Sequence, residues 1–271
     1  MRHQALYDTQ FFFSTTPLPC PYLPDRLERR VVTELIGRDA NLLHEQLSLA
    51  GFRRSHGIAY APACSGCDAC KAVRVLAPLF RPSRSQRRVL NRNRDLRVEI
   101  GEPVATQEQY QLFSAYQKGR HGDGDMSKMD YFDYQGLIED TSVDTALIEF
   151  RDADDQLVAA CLTDHMANGL SAVYSFFDPA LENRSLGTHM ILWMIDKARQ
   201  RGLEYVYLGF WINGCTKMDY KARFQPLETR TKDGWRQFSG DEAVSAVQVT
   251  TPEPAASYCD VPLNMTFDEM P

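Results

Sequence analysis

The second half of the chain switches between two hydrophobic periods. Residues 145–150, 157–162 and 170–177 read as three strands, and an Asp-rich turn at 152–155 joins the first two as a hairpin. Residues 186–200 then take up the helical period, with Met190, Ile191, Met194, Ile195 and Ala198 on one face. Gly202 supplies a helix stop. The run Tyr205-Val206-Tyr207-Leu208-Gly209-Phe210-Trp211 predicts a further, central strand.

The first half is less regular. Residues 25–50 predict helix in two pieces broken near Gly37, and 51–60 predict a hairpin. Residues 72–76 form a strand, 82–94 a helix started by Pro82-Ser83, and 96–100 a strand. Thr106 caps a helix over 106–119 with Tyr110, Phe113 and Tyr116 in register. A Gly/Asp loop at 121–125 and a helix over 130–138 complete the series. Beyond Trp235 the chain turns rich in Pro and acids, which predicts a mobile tail. There is no internal repeat. The division expected is 1–98 as an N-terminal domain, 99–238 as an α/β (α+β) domain, and 239–271 as the tail.

Composition narrows the class. A chain of 271 residues with 44 % apolar content can bury two cores. No apolar run approaches the roughly 18 residues of a membrane span. The aromatic run at 11–13 is too short for a secretory core, so a cytoplasmic location is expected. The formal charge of −6 is unevenly placed. Residues 240–271 hold six acids and no Lys or Arg, so the remainder is balanced. From Arg81 to Arg97 there are seven Arg against one acid, Asp95. A local basic strip on a neutral body suits a polyanion touched at one place.

Several groups carry candidate chemistry. Cys64, Cys67 and Cys70, at x2 spacing, with Cys20 upstream, make four thiolates suited to zinc or an iron–sulfur cluster, or a small Cys-rich turn without metal. Seven cysteines and no secretory leader argue against a disulfide framework. Arg84, Arg87 and Arg88 lie on a helix almost free of acids, dense enough to fork phosphate or carboxylate; the alternative is a solvated face. Arg74 stands apart at the edge of the Cys cluster. The turn Arg184-Ser185-Leu186-Gly187-Thr188 opens a helix, where free backbone N–H groups hold an anion, or it is simply a capped start. Lys217, Tyr220 and Lys221 follow the central strand, as catalytic groups do in open sheets or as a charged surface turn does. His121 is the histidine best placed for proton transfer, or a surface residue. Strands, Gly-containing turn, helix and strand, in that order, suit transfer of an acyl group from a polyanionic carrier.

These residues carry a resemblance. Cys20-Pro21-Tyr22-Leu23, Gly51-Phe52-Arg53-Arg54-Ser55, the three-Cys cluster, Ser83-Arg84-Ser85-Gln86-Arg87-Arg88 and Arg120-His121 recur in order. So do Ser171-Ala172-Val173-Tyr174-Ser175-Phe176-Phe177-Asp178-Pro179, Ser185-Leu186-Gly187-Thr188, Tyr207-Leu208-Gly209 and Lys217-Met218-x-Tyr220-Lys221. Over roughly residues 10–236 the chain resembles the bacterial aspartate/glutamate leucyltransferases, relatives of the eukaryotic arginyl-tRNA–protein transferases. The pattern departs at Tyr60-Ala61-Pro62, where Arg is usual in the middle position.

The resemblance implies a GNAT-like acyltransferase domain behind a smaller Cys-containing domain. It implies aminoacyl-tRNA (Leu-tRNA) as donor and proteins with N-terminal Asp or Glu as acceptors, marked for N-end rule degradation, with no membrane and no DNA. No cofactor is required for transfer. Tyr174, Tyr220, Lys217 and Lys221 are the expected catalytic groups. Arg184, Ser185, Gly187, Thr188, Gly209 and Trp211 are expected around the aminoacyl-tRNA end, and Arg74, Arg84, Arg87 and Arg88 on phosphate or acceptor carboxylate. The competing readings are an arginyl transferase, a non-catalytic tRNA-binding module on a GNAT-like domain, and a small-molecule N-acetyltransferase. The last is disfavoured by the single Gly in the 184–188 turn.

Overall fold

The computed structural model describes residues 10–122, 124–212 and 215–239. The expected tail at 239–271 lies outside them, apart from its first residue. In chain order the elements are β1 (Phe13–Ser14), β2 (Leu18–Pro19), β3 (Leu27–Glu28), β4 (Arg30–Glu34), α1 (Ala40–Leu49), β5 (Arg53–Ser55) and β6 (Ile58–Pro62). Then come β7 (Cys70–Leu76), α2 (Arg84–Arg92), β8 (Arg97–Gly101), α3 (Gln107–His121) and α4 (Tyr131–Glu139). The last are β9 (Thr145–Arg151), β10 (Leu157–Met166), β11 (Gly169–Phe177), α5 (Leu186–Gln200), β12 (Tyr205–Ile212), β13 (Leu227–Thr231) and β14 (Gly234–Gln237).

Among the described residues, eight strands form one mixed sheet in the order β14-β13-β7-β12-β11-β10-β9-β8. The β11–β12 pair is parallel and its neighbours are antiparallel. A connection through α5 is what a parallel pair needs. α5 and α2 cover one face, where Val73, Val75, Val158, Val206 and Leu208 meet Met190, Met194 and Ile195. On the other face α3 and α4 pack Phe113, Tyr134 and Ile138 against Leu147, Leu162 and Phe176. Burial on both faces explains why β10 is apolar without alternation from Leu157 to Leu162. This is the mixed α/β architecture expected for the acyltransferase half.

A four-stranded sheet, β1-β4-β6-β5, with α1 builds the N-terminal unit around Leu35, Leu47 and Ala59. Residues 25–36 are not helical as the sequence suggested. Val31, Val32 and Thr33 are β-branched, fit a pleated surface, and pair with Ala61, Tyr60 and Ala59 of β6. The strand 70–76, placed in the N-terminal unit by the sequence reading, lies inside the large sheet between β13 and β12, and β8 closes its far edge. Val73 and Val75 bury against α5, and that fixes β7 in the larger core.

The two units are locked by a buried charge. Arg54 of β5 donates from Nε and Nη2 to the two carboxylate oxygens of Asp164 on β10, both at 2.7 Å. Thr145 Oγ1 adds a 2.8 Å bond to the same carboxylate, and Asp164 is fully buried.

Candidate active site

β11 and β12 pair only from Gly169–Tyr205 to Ser171–Tyr207. Past that point each strand is bulged against its other neighbour. The β10–β11 register skips Val173, and the β12–β7 register skips Leu208. A bulge bends its strand and raises the local twist, so the parallel pair splays into a cleft. Gly209, at φ 72°, takes the left-handed conformation this requires.

Two basic side chains donate to backbone carbonyls at the splay. Arg53 Nη2 donates to Val173 O at 2.6 Å, and Lys221 Nζ donates to Phe210 O at 2.6 Å. Arg53 reaches in from β5 and lies directly on Gly209; a β-carbon there would sit 3.2 Å from its Cδ and Nε. Its Nε is buried without a hydrogen-bond partner. Burial opposes the Arg53 charge, but the Coulombic effect of Tyr60, Tyr22, Tyr220 and Tyr174 in their ionised forms outweighs it and sets the pKa above the ordinary arginine value. Lys221 is 4 % exposed. Burial, and then repulsion from Arg53, depress its ammonium far below the ordinary lysine range, against a smaller opposing effect of Cys215.

The walls are aromatic and polar. Tyr174 on β11 accepts a hydrogen bond from Gln117 Nε2 of α3, and burial pushes its hydroxyl up. Tyr116 packs on Phe177 at 4.9 Å, and the Arg120 guanidinium lies 5.5 Å from the same ring. The start of α5 abuts this wall: a β-carbon on Gly187 would meet Phe177 at 3.2 Å. Ser185, at φ 54°, makes no side-chain cap, so its hydroxyl does not occupy the first-turn N–H groups. Tyr60 of the N-terminal unit closes the opposite side, edge-on to Phe210 at 5.9 Å.

The Arg helix is clamped to both rims. Ser83 and Gln86 form a reciprocal capping box at its start, and Gln86 Nε2 also donates to Arg223 O in the segment carrying Lys221. At its other end Asn93 Nδ2 donates to Arg184 O at 2.9 Å, and Arg184 returns a bond to Asn93 Oδ1 and an ion pair to Asp95. Arg84, Arg87 and Arg88 remain exposed.

Of the residues the sequence nominated, the structure gathers Tyr174, Tyr220, Lys221, Gly209 and the 185–188 turn around one cleft. It places others elsewhere. Arg74 is buried against Glu228 at 2.8 Å and stacked on Tyr205 and Trp235, beside the paired end of β12. Trp211 lies in the core under α5. Lys217 is exposed. Arg184 is engaged in the clamp, and Thr188 is half-buried on the first turn of α5. The His121 side chain falls outside what the structure describes. Cys20, Cys64, Cys67 and Cys70 share one neighbourhood: burial and the proximity of Cys64, Cys20 and Cys67 push the Cys70 thiol up to about 12. Arg26 donates to Cys67 Sγ at 3.1 Å. Among the described residues no three His, Cys, Asp or Glu side chains are arranged to hold a metal ion. Arg53 and Gln117 were missed as site residues. Arg53 stood in the Gly51–Ser55 motif, but which of the two adjacent arginines faces the cleft is set by register alone.

Both halves of the chain match known family models. Residues 18–88 match the N terminus, and 108–231 the C terminus, of arginine-tRNA-protein transferase. The aspartate/glutamate leucyltransferase of Paramagnetospirillum magneticum is 53 % identical over 244 residues, covering 90 % of this chain and all of the relative. That of Rhodospirillum rubrum is 54 % identical over 229 residues, covering 84 % and 93 %. Among solved structures, L-PGS from Bacillus licheniformis aligns at 13 % identity and TM-score 0.43 over 67 % of this chain and 52 % of that one. FemX aligns at 13 % identity and TM-score 0.40 over 69 % and 65 %. At that distance nothing about function follows. The class is nevertheless settled by the first two comparisons: this is an aminoacyltransferase. Within that class, the chain belongs to the aspartate/glutamate leucyltransferase family.

Proposed function

We propose that the splayed cleft transfers leucine from Leu-tRNA to the α-amine of proteins beginning with Asp or Glu. The observation that carries this reading is the convergence of Arg53, Lys221, Tyr174 and the uncapped start of α5 on one break in the β11–β12 ladder. The relatives' shared name favours leucine over arginine as the group moved.

The carrier's backbone runs along the exposed Arg84, Arg87 and Arg88, whose helix is clamped to the α5 turn, and its 3′ end enters between β11 and β12. The acceptor amine attacks the ester carbonyl carbon. Its ordinary pKa near 8 leaves an appreciable neutral fraction, so positioning supplies much of the acceleration. The oxyanion of the tetrahedral intermediate is met by backbone N–H groups near Gly209 and by the Tyr174 hydroxyl. Lys221, its ammonium depressed far below the ordinary lysine range by burial, takes the proton from the new ammonium and passes it to the departing ribose oxygen. The amide N–C bond forms as the ester C–O bond breaks, and charge and protons balance without an outside reactant.

The four clustered thiols are proposed as a soft-metal site for zinc or an iron–sulfur cluster. Their chemistry fits, although the sulfurs would have to be drawn together by the ion. No step of transfer depends on it. Metal analysis of anaerobically purified protein, beside a Cys64→Ser variant, tests this. Among the described residues no helix is long and apolar enough to cross a membrane. A cytoplasmic role feeding N-end rule degradation fits the proposed acceptors.

The test of transfer offers an Asp-starting peptide to purified protein with labelled Leu-tRNA and Arg-tRNA in parallel. Leucine enters the peptide under this reading. Arginine alone entering would establish the competing transferase, and tRNA binding without transfer would establish the non-catalytic module.

A further inference from the structure

Arg53 leaves the cleft with an unmatched charge. One terminal nitrogen is held by Val173 O at 2.6 Å, Nε is buried without a partner, and among the described residues no carboxylate pairs with it. Arg54, the next residue, has both carboxylate oxygens of Asp164. A half-buried guanidinium with no counter-ion and a buried, unbonded Nε is completed when an anion enters. Arg53 is charged as guanidinium groups are, and the four surrounding tyrosines bring no carboxylate to it.

Resting on the transfer reading above, we propose that Arg53 is the specificity residue for the acceptor, its guanidinium taking the side-chain carboxylate of the acceptor's first residue. The donor end is a poor match. Leucine on its ester presents a cationic α-amine, which Arg53 repels. The nearest tRNA phosphate lies a nucleoside away from the ester, and the arginines free for phosphate are on the outside of α2. The acceptor brings a planar carboxylate one residue side chain from its attacking amine, a length that lets both ends reach the splay together. A guanidinium matches a carboxylate with two parallel N–H···O bonds. The same cation repels the α-ammonium form of the acceptor and so enriches the neutral nucleophile. Gly209 is part of the device, because a side chain there would push Arg53 off β12.

The experiment compares transfer from labelled Leu-tRNA to two peptides differing only in an initial Asp or Asn, using wild-type protein, Arg53→Gln and Arg53→Lys. Wild type prefers Asp by about 100-fold in kcat/KM, the scale of a buried charge pair losing one partner. Arg53→Gln removes the charge and brings the Asp/Asn ratio close to one, with Leu-tRNA affinity unchanged. Arg53→Lys keeps the charge, loses the fork, and retains a reduced preference for Asp. An Asp/Asn ratio that survives in Arg53→Gln while both rates fall together overturns the proposal, as does a wild type indifferent to Asp and Asn. If Arg53→Gln does not fold, a full preference in Arg53→Lys with unaltered kcat/KM overturns it equally. Failure of wild type to transfer leucine to either peptide is a different result: it removes the transfer reading itself.

Discussion

Two adjacent residues of one short strand, Arg53 and Arg54, differ in pairing and in exposure, Arg53 being half-buried and Arg54 buried. Arg54 is 2 % exposed and fully matched: Asp164 takes two of its nitrogens and His56 O a third. His44 stands 3.3 Å from the same carboxylate, and burial holds its imidazole below the ordinary value despite that neighbour. Arg53 points to the opposite side of β5, as alternation along a strand dictates, and faces a cleft of tyrosines with no carboxylate. A satisfied buried pair joins two units of a fold. An unsatisfied one beside a broken strand ladder awaits a ligand. Pairing and exposure together separate structure from function here.

Substitution should split the two roles. Removing Arg54 as Arg54→Ala strands Asp164 in the interior and should cost about 3–5 kcal/mol in chemical denaturation, with activity lost through unfolding. Arg53→Gln should stay within about 1.5 kcal/mol of wild type because it loses one hydrogen bond, to Val173 O, and strands no carboxylate, while transfer to Asp-starting peptides collapses. Comparable destabilisation by both would break the contrast.

The smaller effects sharpen it. Lys221→Met should lower kcat by about 100-fold with tRNA affinity intact, the usual scale for loss of a proton-transfer group. The arginines of α2 lie on neither side of the contrast, being exposed and unpaired with acids. Arg87→Ala with Arg88→Ala should leave stability unchanged and flatten the salt dependence of tRNA binding, by somewhat under one unit of log–log slope for each phosphate that is no longer neutralised. An unchanged slope would move the carrier's path elsewhere.

Acid stability offers a further probe of burial without pairing. His189 is 6 % exposed, its Nδ1 has no hydrogen-bond partner, and burial, then Arg184, bring its pKa down to about 4, against a smaller opposing effect of Asp95. Below the unfolded value of about 6.5 the unfolded chain binds the proton that the folded chain refuses. The stabilisation is therefore complete above that value and is lost as pH falls toward 4, amounting to roughly 3 kcal/mol at most. Denaturation midpoints of wild type and His189→Phe should change in relative stability across that window. Parallel pH profiles would contradict the assignment.

Much of this architecture was legible in the chain. The capped starts of α2 and α3 followed from Pro82-Ser83 and from Thr106, and the order of β9 to β12 around α5 followed from changes of period. Residues 25–36 misled because Arg and Glu in 28–34 space the apolar residues as a helix would, while the β-branched Val31-Val32-Thr33 run decides for strand once β6 is available. The cleft was half visible. Tyr220 and Lys221 could be placed because they follow the central strand, and Tyr174 because it stands in a motif of the resemblance. Arg53 could not, since its role depends on a hydrogen bond to Val173, far away in sequence, and on two bulges that leave no local signature. Arg74 and Trp211 looked like site residues by proximity to motifs, but alternation along β7 and β12 turns them to a stacked pair and to the core.

The most direct test is a crystal structure with a 3′-leucylamido-adenosine, in which a stable amide replaces the reactive ester, together with an Asp-starting peptide. The leucyl carbonyl should lie between Val173 and Gly209, with the peptide's carboxylate on Arg53 and its amine facing the carbonyl carbon. A leucyl group bound outside the β11–β12 splay, or a peptide carboxylate held away from Arg53, would contradict the account.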